Sequence, residues 1–298
     1  MHKLLAMLAF AFAGACAGAD AQQRPTMMEN AAPVPLVDIA APDAALIAAV
    51  HGEWRPTAHR ARDQYRHPQD SLAFWGLRPG MTIVEIDPGG GSWWTQILAP
   101  YARTTGGRYI AGYIDLGAPH VSEGARNARA AFLREYSDTA RYGQVEAVNF
   151  GQTSGLALPD NSADFILVAR AFHNWARVEG RTARYMSEFA RVLRPGGVLA
   201  VEQHRAPAGS DVTTTAPNGY VPESYVIAVA ERAGLQLADR SEINANPRDD
   251  RDHPFGVWTL PPVRQSAPRG QPDNPNFDHA PYDAIGESDR MTLRFVKP

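Results

Sequence analysis

The sequence predicts an α/β protein built on a doubly wound, mainly parallel sheet with a final antiparallel strand. Three observations predict it. Between residues 81 and 243, short runs of β-branched and aromatic residues alternate with helical stretches, and such alternation builds βαβ units with helices on both faces of a parallel sheet. A glycine cluster, Gly89-Gly90-Gly91, stands where the first of these runs turns into a helix. A last apolar run, Arg290 to Val296, follows a long stretch with no periodicity.

The chain opens on residues 1–21, which have the order of a signal peptide. His2 and Lys3 give a cationic start, Leu4 to Ala13 an apolar stretch, and the small residues that follow offer cuts after Ala19 or Ala21. A periplasmic or secreted protein is the expectation, with lipid attachment at Cys16 as the lesser alternative. Residues 22–53 read as a Pro- and Ala-rich flexible arm and a short helix from Pro42 to Val50, with Asp43 in its first turn. Residues 54–298 form one domain with a loop-like insertion at about 244–287.

Within that domain, Arg55 to His67 is strongly charged and predicted helical, and Pro68 starts another helix stopped by Pro79-Gly80. Met81 to Ile86 is the first strand and Gly91 to Tyr101 the helix after it. Arg108 to Ile114 is the second strand, Val121 to Tyr136 a helix, Gln144 to Val148 the third strand, and Asp164 to Ala169 the fourth. Arg177 to Leu193 is a helix closed by Arg194-Pro195-Gly196-Gly197, and Val198 to Glu202 the fifth strand. Pro222 to Ala233 is a helix with Gly234 as C-cap, and Gln236 to Ile243 the sixth strand.

Composition excludes several function classes. The 298 residues carry a net charge of −3, against a nucleic-acid surface, which needs a basic face to displace counterions. After the leader no apolar run reaches the roughly 20 residues of a membrane helix, so no stable membrane insertion is expected once the signal is removed. Cys16 is the only cysteine, and Lys3 and Lys297 are the only lysines. A mature chain therefore offers no disulfide, no thiolate nucleophile and no Cys-ligated zinc. Its histidines show no HxxxH or His-Glu-x-x-His spacing, so no metal is expected, and there is no GxSxG elbow for a hydrolase.

The glycine cluster points to a ligand. Glycines at a strand-to-helix bend let the backbone approach a bound molecule, and the helix start offers unpaired N–H groups. The spacing does not suit a nicotinamide dinucleotide, which asks for a third spaced glycine, and no lysine is near for a triphosphate. A sugar-bearing ligand without phosphate fits better.

Residues 84–98, VEIDPGGGSWWTQIL, resemble the first motif of class I S-adenosylmethionine-dependent methyltransferases, with Glu85 as the acid ending the strand and Pro88 to Gly91 as the turn. Asp87 occupies a position usually held by glycine. RVLRPGGVLAVEQH (191–204) and DNSADFILVARAFHNW (160–175) resemble the family's segments around strands five and four, and the FHNW, EQHR, INANPRD, GVWTLPP and IGESDRMTLRFVK segments look like a subfamily of bacterial, often exported, members. The resemblance implies a Rossmann-like methyltransferase fold over residues 54–298 and S-adenosylmethionine as cofactor, held by Glu85, Asp87 and Gly89 to Gly91. It places a ribose-binding acid at the end of strand two, on Tyr113 or Asp115, of which Asp115 is preferred; capping a helix is the other role open to Asp115. It places the adenine near Gln152 and Phe150, although burial of Phe150 in the core accounts equally for that residue.

Ligands of open α/β sheets bind beyond the carboxyl ends of the strands. Two polar clusters are expected there: Arg170, His173, Asn174 and Trp175 after strand four, and Glu202, His204 and Arg205 after strand five. His173, Asn174 and His204 are the candidates for base or substrate ligand, and Arg170 for pairing with a carboxylate of cofactor or substrate. Structural hydrogen bonding is the competing role for both histidines. Asn244 to His253 is a candidate lid or a solvated surface loop, and the tryptophans are candidates for an apolar lining. The expected function is methyl transfer to a small-molecule acceptor. The alternative is a binding or sensory protein on a degenerate methyltransferase fold, favoured by Asp87, by the missing adenine carboxylate, and by export away from the compartment that makes the cofactor.

Overall fold

The computed structural model describes residues 41–298. The leader, Cys16 and most of the arm lie outside the described residues. Seven strands form one sheet: β1 (Thr82–Ile86), β2 (Arg108–Gly112), β3 (Glu146–Val148), β4 (Ala163–Ala169), β5 (Leu193–His204), β6 (Gln236–Ser241) and β7 (Arg290–Val296). Their order is β3-β2-β1-β4-β5-β7-β6. Strands β1 to β5 pair in parallel, and β7 inserts antiparallel between β5 and β6. The sheet is doubly wound, as expected, and its order turns back beside β1. That is where a crevice opens at the carboxyl ends of the strands.

The central strands are apolar throughout. Ile83, Val84, Phe165, Ile166, Leu167, Val168, Leu199 and Val201 are all fully buried, as a parallel sheet covered on both faces requires. The helices that cover it are α1 (Ala44–Val50), α2 (Pro68–Phe74), α3 (Thr95–Thr104), α4 (Glu123–Glu135), α5 (Phe172–Trp175), α6 (Arg181–Val192), α7 (Glu223–Arg232) and α8 (Ala280–Ile285). Asp43 sits one place before the first turn of α1, as its N-cap, accepting from the Leu46 amide at 2.8 Å. Ser122 caps α4 in the same way.

Several boundaries differ from the sequence expectation for local reasons. Helix α3 starts at Thr95 rather than Gly91, because Gly91 (φ 84°) and Ser92 (φ 43°) lie in the left-handed region and cannot open a right-handed helix. Gly180, at φ 71°, likewise delays α6 to Arg181. The Arg194 to Gly197 segment does not merely stop that helix. It lies within β5, where pairing with β4 passes from Ala163↔Leu193 to Phe165↔Val198 across a register shift. The charged segment 55–67 is two single turns, Thr57–Arg60 and Asp63–Arg66, and not one helix. The insertion at 244–287 contains a short strand, Pro254–Val257, and α8. No described helix is long and apolar enough to cross a membrane.

Candidate active site at the crest of the sheet

A cavity of about 510 Å³ opens above the carboxyl ends of β1, β4 and β5, within the range of roughly 300–1,000 Å³ usual for small-molecule sites. Its floor is the bend after β1: Glu85, Ile86, Asp87, Pro88, Gly89 and Gly90. Gly89 needs its positive φ of 71° to make the bend. Gly90 has no such constraint, and a side chain built on it would meet nothing within 4 Å. That open space is the cradle. It is not plugged: Trp93 and Trp94 are buried edge to face, 4.7 Å apart, and form a wall. Trp93 donates its indole N–H to the His59 carbonyl.

Glu85 braces the bend from below. It accepts hydrogen bonds from Thr95 Oγ1 at 2.7 Å and Tyr109 Oη at 2.6 Å, tying β1 to the start of α3 and to β2. Burial pushes its pKa up to about 7 against those two bonds. Asp87 takes the glycine position with φ 47°. Its carboxylate lines the cavity and has no hydrogen-bond partner among the described residues, and burial raises its pKa to about 7. Gly91 does not line the cavity and is covered by the His59 ring.

Of the expected nucleoside contacts, Tyr113 lines the cavity and Asp115 and Gln152 do not. Asp115 lies outside the cavity lining because its carboxylate is already engaged by Gly117 N, Thr153 N, Ser154 N and Ser154 Oγ. Burial raises its pKa, but these bonds outweigh it and hold the group below its usual value. Tyr113, the other candidate, lines the cavity. Gln152 is exposed in the Phe150–Leu156 hairpin and does not reach the cavity. Phe150 belongs to the core, 4.6 Å from Tyr185 and 5.9 Å from Trp175 between ring centroids. Trp175 is buried in the same cluster.

The two histidines do face one cavity, with ring centroids 6.0 Å apart, and Asn174 and Arg170 line it with them. His173 Nδ1 lies 3.4 Å from the Gln203 amide nitrogen. That amide is oriented by Phe172 N and the Gly219 carbonyl, so His173 Nδ1 accepts and its proton sits on Nε2. His204 Nδ1 is 2.5 Å from Ser288 Oγ. Burial, reinforced by Arg177, lowers the His173 pKa to about 4; burial and the neighbouring His173 and Arg170 lower that of His204 well below its usual value. Both rings are neutral at pH 7. Glu202 and Arg205 leave the expected cluster. Glu202 is fully buried and paired with Arg290 at 2.6 Å, and Arg205 turns to Glu242 and Asp289.

Three contributions went unseen in the sequence. His59, Arg62 and Arg66, from the charged segment before α2, line the cavity, with Glu287 and Ser288 from just before β7. Arg62 and Arg66 both donate to Glu287, at 2.6 and 3.0 Å. The density of arginine at 55–66 was the visible signal; its carboxylate partner lies more than 200 positions away. The outer wall is Val257 to Val263, with Trp258 5.7 Å from His173, and not the Asn244 to His253 stretch, the candidate lid or surface loop. That stretch anchors the insertion: Asn244 bonds Ser71 and Thr292, and Asp249 bonds Tyr220 and Asp289 N. Trp75 donates to the Leu293 carbonyl in the core, and Trp54 to the Gln96 carbonyl outside the cavity.

A search of curated proteins returns no match to this sequence. A family model described as a methyltransferase domain matches residues 113–201. Among solved structures, the [4+2]-cyclase SpnF is similar over 84% of this chain and 85% of its own, with 19% identity and a TM-score of 0.52. A SAM-dependent methyltransferase from Aquifex aeolicus is 22% identical over 64% of this chain and 90% of its own, with a TM-score of 0.46. A putative sarcosine dimethylglycine methyltransferase from Galdieria sulphuraria is 15% identical over 84% and 89%, with a TM-score of 0.47. The likeness to the cyclase conveys the fold alone, and folds of this kind host unlike chemistries. The family match carries more, and it begins beyond the glycine bend, so the open bend supports it independently. The 3-2-1-4-5-7-6 sheet with the bend at its crest is a Rossmann-like methyltransferase fold, and within it residues 113–201 match a methyltransferase domain, which supports S-adenosylmethionine as the cofactor.

Proposed function

We propose that this protein transfers a methyl group from S-adenosylmethionine to a small-molecule acceptor, and that it does so after export. The observation that carries the first part is the unfilled space over Gly89 and Gly90, opening into a cavity large enough for a nucleoside. Bound there, the cofactor supplies an electrophilic methyl group on a sulfonium. The chain's own contribution is positioning and the handling of a proton. Gly89 and Gly90 would admit the nucleoside, Tyr113 and Asp87 would contact it, and Glu85 would keep the bend in shape. His173, protonated on Nε2, donates to the acceptor alongside Asn174. His204 takes the role of base where Nδ1–H donates to Ser288, which frees Nε2 to accept a proton.

The leader at residues 1–21 supports export, and sequencing the N-terminus of the periplasmic protein should find Asp20 or Gln22 first. Cofactor binding is tested by calorimetry with S-adenosylhomocysteine on wild-type and Gly90→Val proteins. Because Gly90 is open and without a positive φ, valine should leave the melting temperature nearly unchanged and weaken binding at least about tenfold, or roughly 1.4 kcal/mol. Absence of binding to the wild type at millimolar ligand would overturn the reading.

A further inference from the structure

One part of the cavity carries more positive charge than its neighbours neutralise. Four guanidiniums, Arg62, Arg66, Arg170 and Arg290, gather around two carboxylates, Glu202 and Glu287. Glu287 serves Arg62 at 2.6 Å, Arg66 at 3.0 Å and Arg290 at 3.1 Å, while Glu202 serves Arg290 at 2.6 Å. Arg170 is left over. Its Nε is sealed from solvent with no acceptor, and its guanidinium makes no hydrogen bond among the described residues although it faces the cavity. Its backbone is held at φ 57°, in the left-handed region where a long side chain is unfavourable.

An unpartnered, half-buried cation on a strained backbone is costly, and such costs gather at ligand sites. Glu85 and Asp87, the other carboxylates of the cavity, belong to the glycine bend, and neither bonds Arg170. Another part of the lining is apolar, formed by Val257, Trp258, Pro261, Pro262 and Val263. We propose that Arg170, backed by Arg62, binds the carboxylate of the methyl acceptor, which is therefore an organic acid with an apolar body. The inference rests on the methyltransferase reading. A guanidinium fork matches a carboxylate in two parallel hydrogen bonds, and two positive charges beyond those neutralised give the anion its electrostatic return.

The test uses benzoate and its neutral counterpart benzamide as probes, titrated calorimetrically into the full chain saturated with S-adenosylhomocysteine. Benzoate should bind at least about tenfold tighter than benzamide. Arg170→Gln should abolish that preference, and Arg170→Lys should retain part of it, because the charge stays and the fork is lost. If Arg170→Gln fails to fold by circular dichroism, Arg62→Gln carries the same comparison and should reduce the preference severalfold. A carboxylate also exists on the cofactor's amino-acid tail, so S-adenosylhomocysteine is compared with 5′-methylthioadenosine, which lacks it. The ratio of their affinities should be the same in wild type and Arg170→Gln. A collapse of that ratio, or equal binding of benzoate and benzamide to the wild type, overturns the proposal. Failure of S-adenosylhomocysteine to bind at all defeats the underlying reading in a separate titration and takes this inference with it.

Discussion

Asp87 shows how one side chain changes a familiar bend. A glycine would meet the φ of 47° without strain; aspartate is among the few other residues that tolerate it. Its carboxylate gains no hydrogen bond in return and is raised by burial from 3.8 to about 7. An acid with a raised folded-state pKa stabilises the fold only while protonated. Its contribution is fully present below pH 3.8 and is lost as the pH rises through about 7. Asp87→Asn should therefore be more stable than wild type at pH 8, on the order of 1–2 kcal/mol after allowance for water in the cavity, with the gain vanishing toward pH 4. Urea denaturation of both proteins across that range checks it; a gain independent of pH would show that the carboxylate is ordinary. Asp115 is the contrast: four hydrogen bonds use its charge to hold a loop, which is why the acid expected to meet a ribose does not face the cavity.

At the scale of elements, the segment containing Thr57–Arg60 and Asp63–Arg66 acts as a strap over the glycine bend. His59 covers Gly91 and bonds Gln96 of α3 at 3.0 Å, and Arg55 is fixed by Asp63 through two nitrogens. The strap is joined to the start of β7 through Glu287, which accepts from both Arg62 and Arg66, and through Arg290, which donates to the Tyr65 carbonyl at 2.6 Å. Removing one member of a buried ionic cluster leaves the others uncompensated, at a cost of roughly 3–5 kcal/mol. Glu287→Gln should lose about that much stability, and hydrogen exchange should quicken first in residues 56–67 while β1, β4 and β5 stay protected. Uniform loss of protection across the sheet would mean that the strap is not a separable unit. The arginines of this segment were legible in the sequence as a charged stretch. Their role was not, because pairing with Glu287 depends on how the last strand returns between β5 and β6.

At the scale of the whole molecule, the sheet could be read before it was seen, since the central strands are local runs of apolar residues and the first is followed by its glycine bend. The Arg194 to Gly197 break was read as a helix stop and proved to be a bulge at the head of β5, because pairing with β4 is a non-local fact. The cavity was half legible: the bend, Arg170, His173, Asn174 and His204 lie next to strand ends, whereas Trp258 comes from an insertion without periodicity and Ser288 from just before β7. Its walls thus come from seven separated places, 59–66, 85–94, Tyr113, 169–174, His204, 257–263 and 287–288. A ligand seated among them ties these segments together, so its effect should be global. At about a hundred times its dissociation constant, S-adenosylhomocysteine should stabilise the fold by roughly 2.7 kcal/mol, raising the melting temperature by about 5–10 °C for a domain of this size. Hydrogen exchange should slow in all of these places together. Protection confined to residues 85–94 would place the ligand on the bend alone, and would leave Arg170 and the two histidines outside the site it organises.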